Sequence, residues 1–230
     1  MENYAPTYKV ITDEAILIDF IQNVLPDHEE HEQFYCCLFA RKKYAKEVPW
    51  IKSDKSQLKR FTSTKEKLLT KIRQLECPIG AYAYKEGPMP QESLALYISP
   101  NPRDLWRATI KGIGKLALMI EATNKNANPH QEIMSVIQQT KSRTIWVTFD
   151  IDEKTPAVLD RVDAALGGCK SCRRILETRG GYHVLVEPSK VPAIVKNTWH
   201  KNIATMADVT GDSLIPVPGT YQGGFTPHFI

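Results

Sequence analysis

Asp150 and Asp152 put two carboxylates one residue apart, in the run Thr148-Phe149-Asp150-Ile151-Asp152. On an extended strand, residues i and i+2 point to the same face, so both side chains can converge on one ligand. Asp212 offers a third carboxylate and His183 an imidazole. Carboxylates gathered at one place repel each other and, unless one is protonated, need a cation. Hard oxygen donors favour Mg²⁺ or Mn²⁺, whose coordination is commonly completed by substrate phosphates. Two such ions can stabilise both the attacking and the leaving oxygen of a phosphoryl transfer. Arg173, Arg174 and Arg179 lie near His183 in the chain and suit a polyphosphate, while Gly180 and Gly181 allow backbone to approach a ligand closely. Singly, an Asp-x-Asp is more often a solvated strand end, and a histidine after Gly-Gly is ordinary. The chemistry depends on elements that bring these residues together.

The pattern of residues 143–230 supplies such elements. Residues 143–151 form an apolar strand that ends on Asp150. Thr155-Pro156 opens a helix with Val158, Leu159, Val162 and Leu166 inward, stopped by Gly167-Gly168. Residues 173–178 and 182–187 read as a hairpin closed by Arg179-Gly180-Gly181. A helix is predicted over 191–206 and a last strand over 214–217. The order β-α-β-β-α-β is that of the ferredoxin-like or RRM-like split β-α-β unit. In that topology the first and third strands are antiparallel neighbours and the fourth flanks the first. The end of strand one then lies beside His183 and beside Asp212. Asp208 competes for the third acidic place, but its position at the end of the preceding helix reads as a cap, so Asp212 is preferred.

The first half reads as an αβ lobe over residues 1–140, with the catalytic core expected over 141–230, an α+β protein in all. Thr12 is the expected cap of a helix with Ile16, Leu17, Phe20, Ile21 and Val24 on one stripe. Ser63 and Glu66 form a capping-box pattern ahead of Leu68, Leu69, Ile72 and Leu75. Asn101-Pro102 and Asn128-Pro129 each read as a helix start, the first helix carrying Leu105, Trp106, Ile110, Ile113 and Ala117. The net charge of +4 over 230 residues conceals a strong segregation. Residues 1–32 are acidic, whereas 41–73 carry twelve bases against three acids, interleaved with Tyr44, Trp50 and Phe61. A surface that tracks a phosphate backbone looks like this, and Arg41, Lys42, Lys43, Lys59 and Arg60 are its candidate contacts. The plainer reading is a solvated basic face.

Several classes are excluded or disfavoured. The most apolar helical stretch, 110–120, is interrupted by Lys111 and Lys115 and falls short of a membrane span. Met1-Glu2-Asn3-Tyr4 does not open like a secretory signal, and five cysteines are an odd number, so a reduced cytoplasmic setting is expected. The Cys169-x-x-Cys172 pair lacks the second pair that a structural zinc site needs, so zinc is not expected.

Three stretches resemble the motifs of the archaeo-eukaryotic primase superfamily, the primase-polymerases. Thr148-Phe149-Asp150-Ile151-Asp152 resembles the hhDhD first motif, and Thr178-Arg179-Gly180-Gly181-Tyr182-His183-Val184 the second. Asp212 with Pro218-Gly219-Thr220 resembles the third. The resemblance spans residues 143–225. It implies an RRM-like catalytic core that transfers nucleotides under the direction of a single-stranded DNA template, making or extending primers. It implies two Mg²⁺ or Mn²⁺ ions on Asp150, Asp152 and Asp212, and nucleoside triphosphate contacts from His183 with Thr178, Arg179, Gly181 and Thr220. It also implies a template along the basic first lobe, a helicase supplied in trans, and a bacterial, phage or plasmid setting. The chain departs from the pattern at Ile215-Pro216-Val217, where many members carry an arginine. The competing expectations are a non-catalytic nucleic-acid-binding protein on the same core, and a metal-dependent phosphoesterase or nuclease.

Overall fold

A computed structural model describes residues 6–84, 86–122 and 128–230. The first sheet is built on β1 (Glu32–Ala40), whose alternating side chains are buried on both faces. Phe34, Cys36 and Leu38 point into the main core, beneath α1 (Glu14–Asp19) and α2 (Lys65–Arg73). Tyr35 and Cys37 face the other way, onto Met134. Antiparallel partners flank β1 on both sides: β2 (Ser56–Ser63) and, through Cys36 opposite Ile98, the strand Leu94–Ile98. Between them lies a small hairpin, β3 (Ala83–Tyr84) and β4 (Gly87–Pro88), which makes Leu94–Ile98 β5. A short β6 (Arg103–Asp104) pairs with the start of β1.

The helix starts differ from expectation because nearby side chains are used elsewhere. Asp13, not Thr12, caps α1, its carboxylate accepting from the Ile16 amide at 3.0 Å, and the helix continues as a π-helical turn over Phe20–Val24. Thr64, not Ser63, stands at the N-cap of α2. Asn101 does not open a helix. Its side-chain oxygen instead accepts from the amides of Ile145 and Trp146, and α3 (Leu105–Glu121) begins after Asp104, which caps it. Asn128 does cap α4 (Pro129–Gln139) as expected.

The second sheet has the order β10-β7-β9-β8-β12: Val209–Gly211, Val147–Ile151, Tyr182–Val186, Arg173–Glu177 and His228–Phe229, all antiparallel. With α5 (Pro156–Ala165) between β7 and β8, and α6 (Trp199–Ala204) before β10, the chain order is β-α-β-β-α-β, as expected. Phe149, Ile151, Val184 and Val186 pack under both helices. The opposite face turns toward the first lobe, where Leu176 and Leu185 join the main core. The protein is thus α+β with antiparallel sheets. Among the described residues no helix is long and apolar enough to cross a membrane.

Two expectations fail in the last forty residues. The strand that closes the second sheet is Val209–Gly211, and the segment expected to do so enters the other sheet, where β11 (Ile215–Pro216) pairs with β5. Ile215 and Val217 are fully apolar and find their burial in the main core. The helix expected over 191–206 is cut to α6, preceded by a 3-10 turn, Ala193–Val195. Beyond β11 the chain passes against the start of α1. There Gly219 adopts φ +76° and a Cβ would lie 2.4 Å from the Asp13 carbonyl oxygen, so only glycine fits.

Candidate active site

Asp150 and His183 are register partners on β7 and β9, so their side chains share a face, the one turned toward the first lobe. Asp152 follows on the same side. The β8–β9 turn is drawn tightly over the end of β7: a Cβ on Gly181 would sit 2.0 Å from the Ile151 carbonyl oxygen. The Thr178 hydroxyl closes this turn, donating to the Gly181 carbonyl at 3.1 Å and accepting from its amide at 3.2 Å. Thr178 and Gly180 then border a polar cleft with Asp150, Asp152 and His183. The first lobe supplies the opposite wall, Arg41, Lys43, Tyr44 and Tyr97. The cleft, at ≈ 70 Å³, accommodates an ion or a phosphoryl group, and anything larger would extend from its mouth.

The electrostatics are unusual. Burial, reinforced by the charges of Asp152 and Asp208, pushes the Asp150 carboxyl up to about 6. Burial, and then the cations Arg41 and Lys43, lower His183 to about 3. The 3.2 Å approach of His183 Nε2 to Asp150 Oδ1 is therefore a contact of a neutral imidazole with the carboxylate, not an ion pair. Two buried polar atoms here have no protein partner, His183 Nδ1 and Arg41 Nε. Leaving such a group unpaired costs about 1–3 kcal/mol, which a bound ligand offering the complementary atoms recovers. Tyr44 ties the two walls together. Its ring lies 4.7 Å from the Arg179 guanidinium and 5.9 Å from that of Arg41.

The acidic residue placed beside Asp150 and Asp152 is Asp208. β10 runs antiparallel to β7 with Val209 opposite Asp150, so the residue before it lies beside the end of β7. The Asp208 amide donates to the Asp150 carbonyl at 2.8 Å, and its carboxylate accepts from the Asp152 amide at 3.3 Å. Asp212, preferred from sequence, is at the other end of the strand, where Gly211 faces Thr148. There it is ion-paired with Arg103, which is 1% exposed, and accepts from Asn101 Nδ2 at 2.9 Å. It is a structural counter-ion and does not reach Asp150. The shift follows from the short fourth strand starting five residues earlier than expected, at Val209.

Other expected contacts are also reassigned. Arg173 and Arg174 begin β8, at the end remote from His183, and Arg173 is ion-paired with Asp163 of α5. Arg179 donates to the Gly223 carbonyl at 2.5 Å and braces the wall without lining the cleft. Thr220 is 1% exposed, and its hydroxyl is spent on the Val217 carbonyl, so it cannot meet a nucleotide. Gly181 is filled by protein backbone and leaves Gly180 as the open glycine. Among the basic residues, Arg60 is withdrawn inside, bonded to Tyr35 Oη, Gln131 and Ser135. Lys42 is folded onto the carbonyls of Lys46 and Val48. Lys59 stays exposed but borders a separate groove with Phe61 and Lys71. Of these five, only Arg41 and Lys43 border the cleft that holds the carboxylates. Tyr97 and Gln222, which also line the cleft, carry no sequence signal that distinguishes them from core residues.

The donor set, three hard carboxylates whose mutual repulsion raises Asp150, fits a divalent cation of the Mg²⁺ or Mn²⁺ kind. As placed, they form no closed shell. Among the described residues no group of three potential ligands is close enough to hold an ion, so binding requires the side chains to rotate. Cys169 and Cys172 are free thiols distant in sequence from these residues. No family model matches the chain, and neither the curated proteins nor the solved structures include a match to it.

Proposed function

We propose that this protein is a divalent-metal-dependent nucleotidyltransferase of the primase-polymerase type, acting on nucleoside triphosphates along a single-stranded DNA template. The observation that carries the reading is the meeting of Asp150, Asp152 and His183 on one wall of a cleft of phosphoryl size, with Asp208 beside them at the strand end and Arg41 and Lys43 on the opposite wall. The ferredoxin-like strand order of the second sheet, with β7 and β9 central, agrees with the RRM-like core that the motif resemblance implies.

In this reading the three aspartates hold the cations, which when bound neutralise the phosphates and stabilise the attacking and leaving oxygens. Arg41 and Lys43 orient the polyphosphate from the first lobe. His183, neutral and in contact with Asp150, offers a ring nitrogen to the same ligand without adding charge. Tyr44 and Arg179 keep the two walls in register.

The test is incorporation of labelled nucleotides opposite a single-stranded template with Mn²⁺. Asp150→Asn and Asp152→Asn are each expected to reduce it by at least about 100-fold, the scale for losing a major electrostatic contributor, while thermal melts stay intact. Absence of product on every template, or degradation of the template in place of extension, would overturn the reading.

A further inference from the structure

α3 is apolar on two faces but covered on one. Its inward face, with Ala108 and Gly112 buried, lies on α4 so closely that a Cβ on Gly112 would meet Ile133 at 2.5 Å. The outward face carries Trp106 (67% exposed), Ile110 (58%), Ile113 (65%) and Ile120 (77%), with Ala117 between them. A helix that is hydrophobic all round belongs in an interior, and contiguous apolar patches this long mark interaction surfaces.

We propose that this face is the homodimer interface of the protein, formed by α3 packing antiparallel against α3 of a second copy about a two-fold axis through Ile113. Two observations select that occupant. First, the positions 106, 110, 113, 117 and 120 alternate in steps of four and three, the 3.5-residue spacing of a seam that packs against another helix. Second, the seam is nearly mirror-symmetric about Ile113: Trp106 and Ile120 lie seven residues to either side, and Ile110 and Ala117 three and four. An isologous interface requires such self-complementarity. Trp106 of each copy then meets Ile120 of the other.

Arg107, on the flank of the seam, takes no part in it, because its guanidinium donates to the Asp104 carboxylate at 2.6 Å and to the Ser142 carbonyl at 3.1 Å. The seam side chains would remove roughly 500 Å² per protomer from water, so about 1,000 Å² in all, the lower bound for a specific interface. The dimer is accordingly expected to be of micromolar affinity.

The test is the molar mass of the full-length protein, measured by sedimentation or light scattering from about 1 to 200 μM. A concentration-dependent dimer is expected. Ile113→Glu, which places two carboxylates face to face on the axis, should leave a monomer across that range, with unchanged circular dichroism and melting temperature because the residue is exposed. Ile113→Leu should dimerise like the parent. A monomer at 200 μM, a dimer indifferent to Ile113→Glu, or a monomer whose α3 face instead binds anionic lipid vesicles would overturn the proposal.

Discussion

Asp208 and Asp212 flank one three-residue strand and have opposite surroundings. At the Asp208 end, like charges are crowded, one carboxyl is pushed up to about 6, and two polar atoms lack partners. At the Asp212 end, the carboxylate is matched by a buried guanidinium and an amide. A fold spends its compensating partners where it needs rigidity and withholds them where a ligand is to supply them. The contrast separates an acid that holds the protein together from one that equips it to act, although sequence spacing alone ranks them the other way.

Breaking the structural end should have the larger effect on folding. Asp212→Ala leaves the Arg103 charge buried without its partner, so a loss of about 3 kcal/mol is expected, or roughly 6–12 °C in melting temperature. Asp208→Ala should leave the metal-free melting temperature within about 2 °C. A comparable drop in both variants, measured by differential scanning calorimetry, would erase the distinction.

Nucleotide affinity sharpens it next. Arg41→Ala should weaken Mn²⁺-dependent triphosphate binding about tenfold, the scale of a charge-assisted hydrogen bond. Lys43→Ala should weaken it less, because its ammonium is exposed. Lys59→Ala and Thr220→Val should leave it unchanged, since neither borders the cleft. Calorimetric titration distinguishes these cases, and equal losses at Arg41 and Lys59 would return the triphosphate to the general basic surface.

Asp150→Asn should stabilise the metal-free protein. The folded-state pKa of about 6 lies above the ordinary 3.8, so ionising Asp150 in the fold carries a cost that is absent below about pH 4, grows from pH 4 to 6 and is full above it. Asparagine avoids that cost. With allowance for partial exposure, the gain at pH 7.5 is on the order of 1 kcal/mol, or roughly 2–4 °C, and it should vanish near pH 4. His183 acts in the opposite sense. Depressed to about 3, it loses stability as pH falls below 6.5. The variant-minus-parent difference is therefore the quantity to follow. A melting temperature unchanged at every pH would mean that Asp150 is not strained.

The second sheet was largely legible because its strands alternate cleanly and α5 begins and ends at its Thr-Pro and Gly-Gly signals. Asp150, Asp152 and His183 were legible for the same reason, since strand register alone brings them to one face. The fourth strand was not. Val209-Thr210-Gly211 is short, exposed and weakly apolar, whereas Leu214 to Val217 is the stronger strand pattern and is claimed by the other sheet. That tertiary competition moved the third acid. The role of Arg60 depends on which side of the edge strand β2 its side chain leaves, and that of Arg41 on the turn that follows β1, and a charge run encodes neither. The Asn101-Pro102 signal misled because the asparagine is used to hold the start of β7 rather than a helix.

The central claim is that the cation site includes Asp208 and excludes Asp212. Mn²⁺ binding in the presence of a nucleoside triphosphate, followed by electron paramagnetic resonance on the parent, Asp208→Asn and Asp212→Asn, tests it most directly. Asparagine at either position preserves shape. Binding is predicted to fall at least tenfold in Asp208→Asn and to stay within about twofold of the parent in Asp212→Asn. Parent-like binding in Asp208→Asn together with its loss in Asp212→Asn would contradict the account.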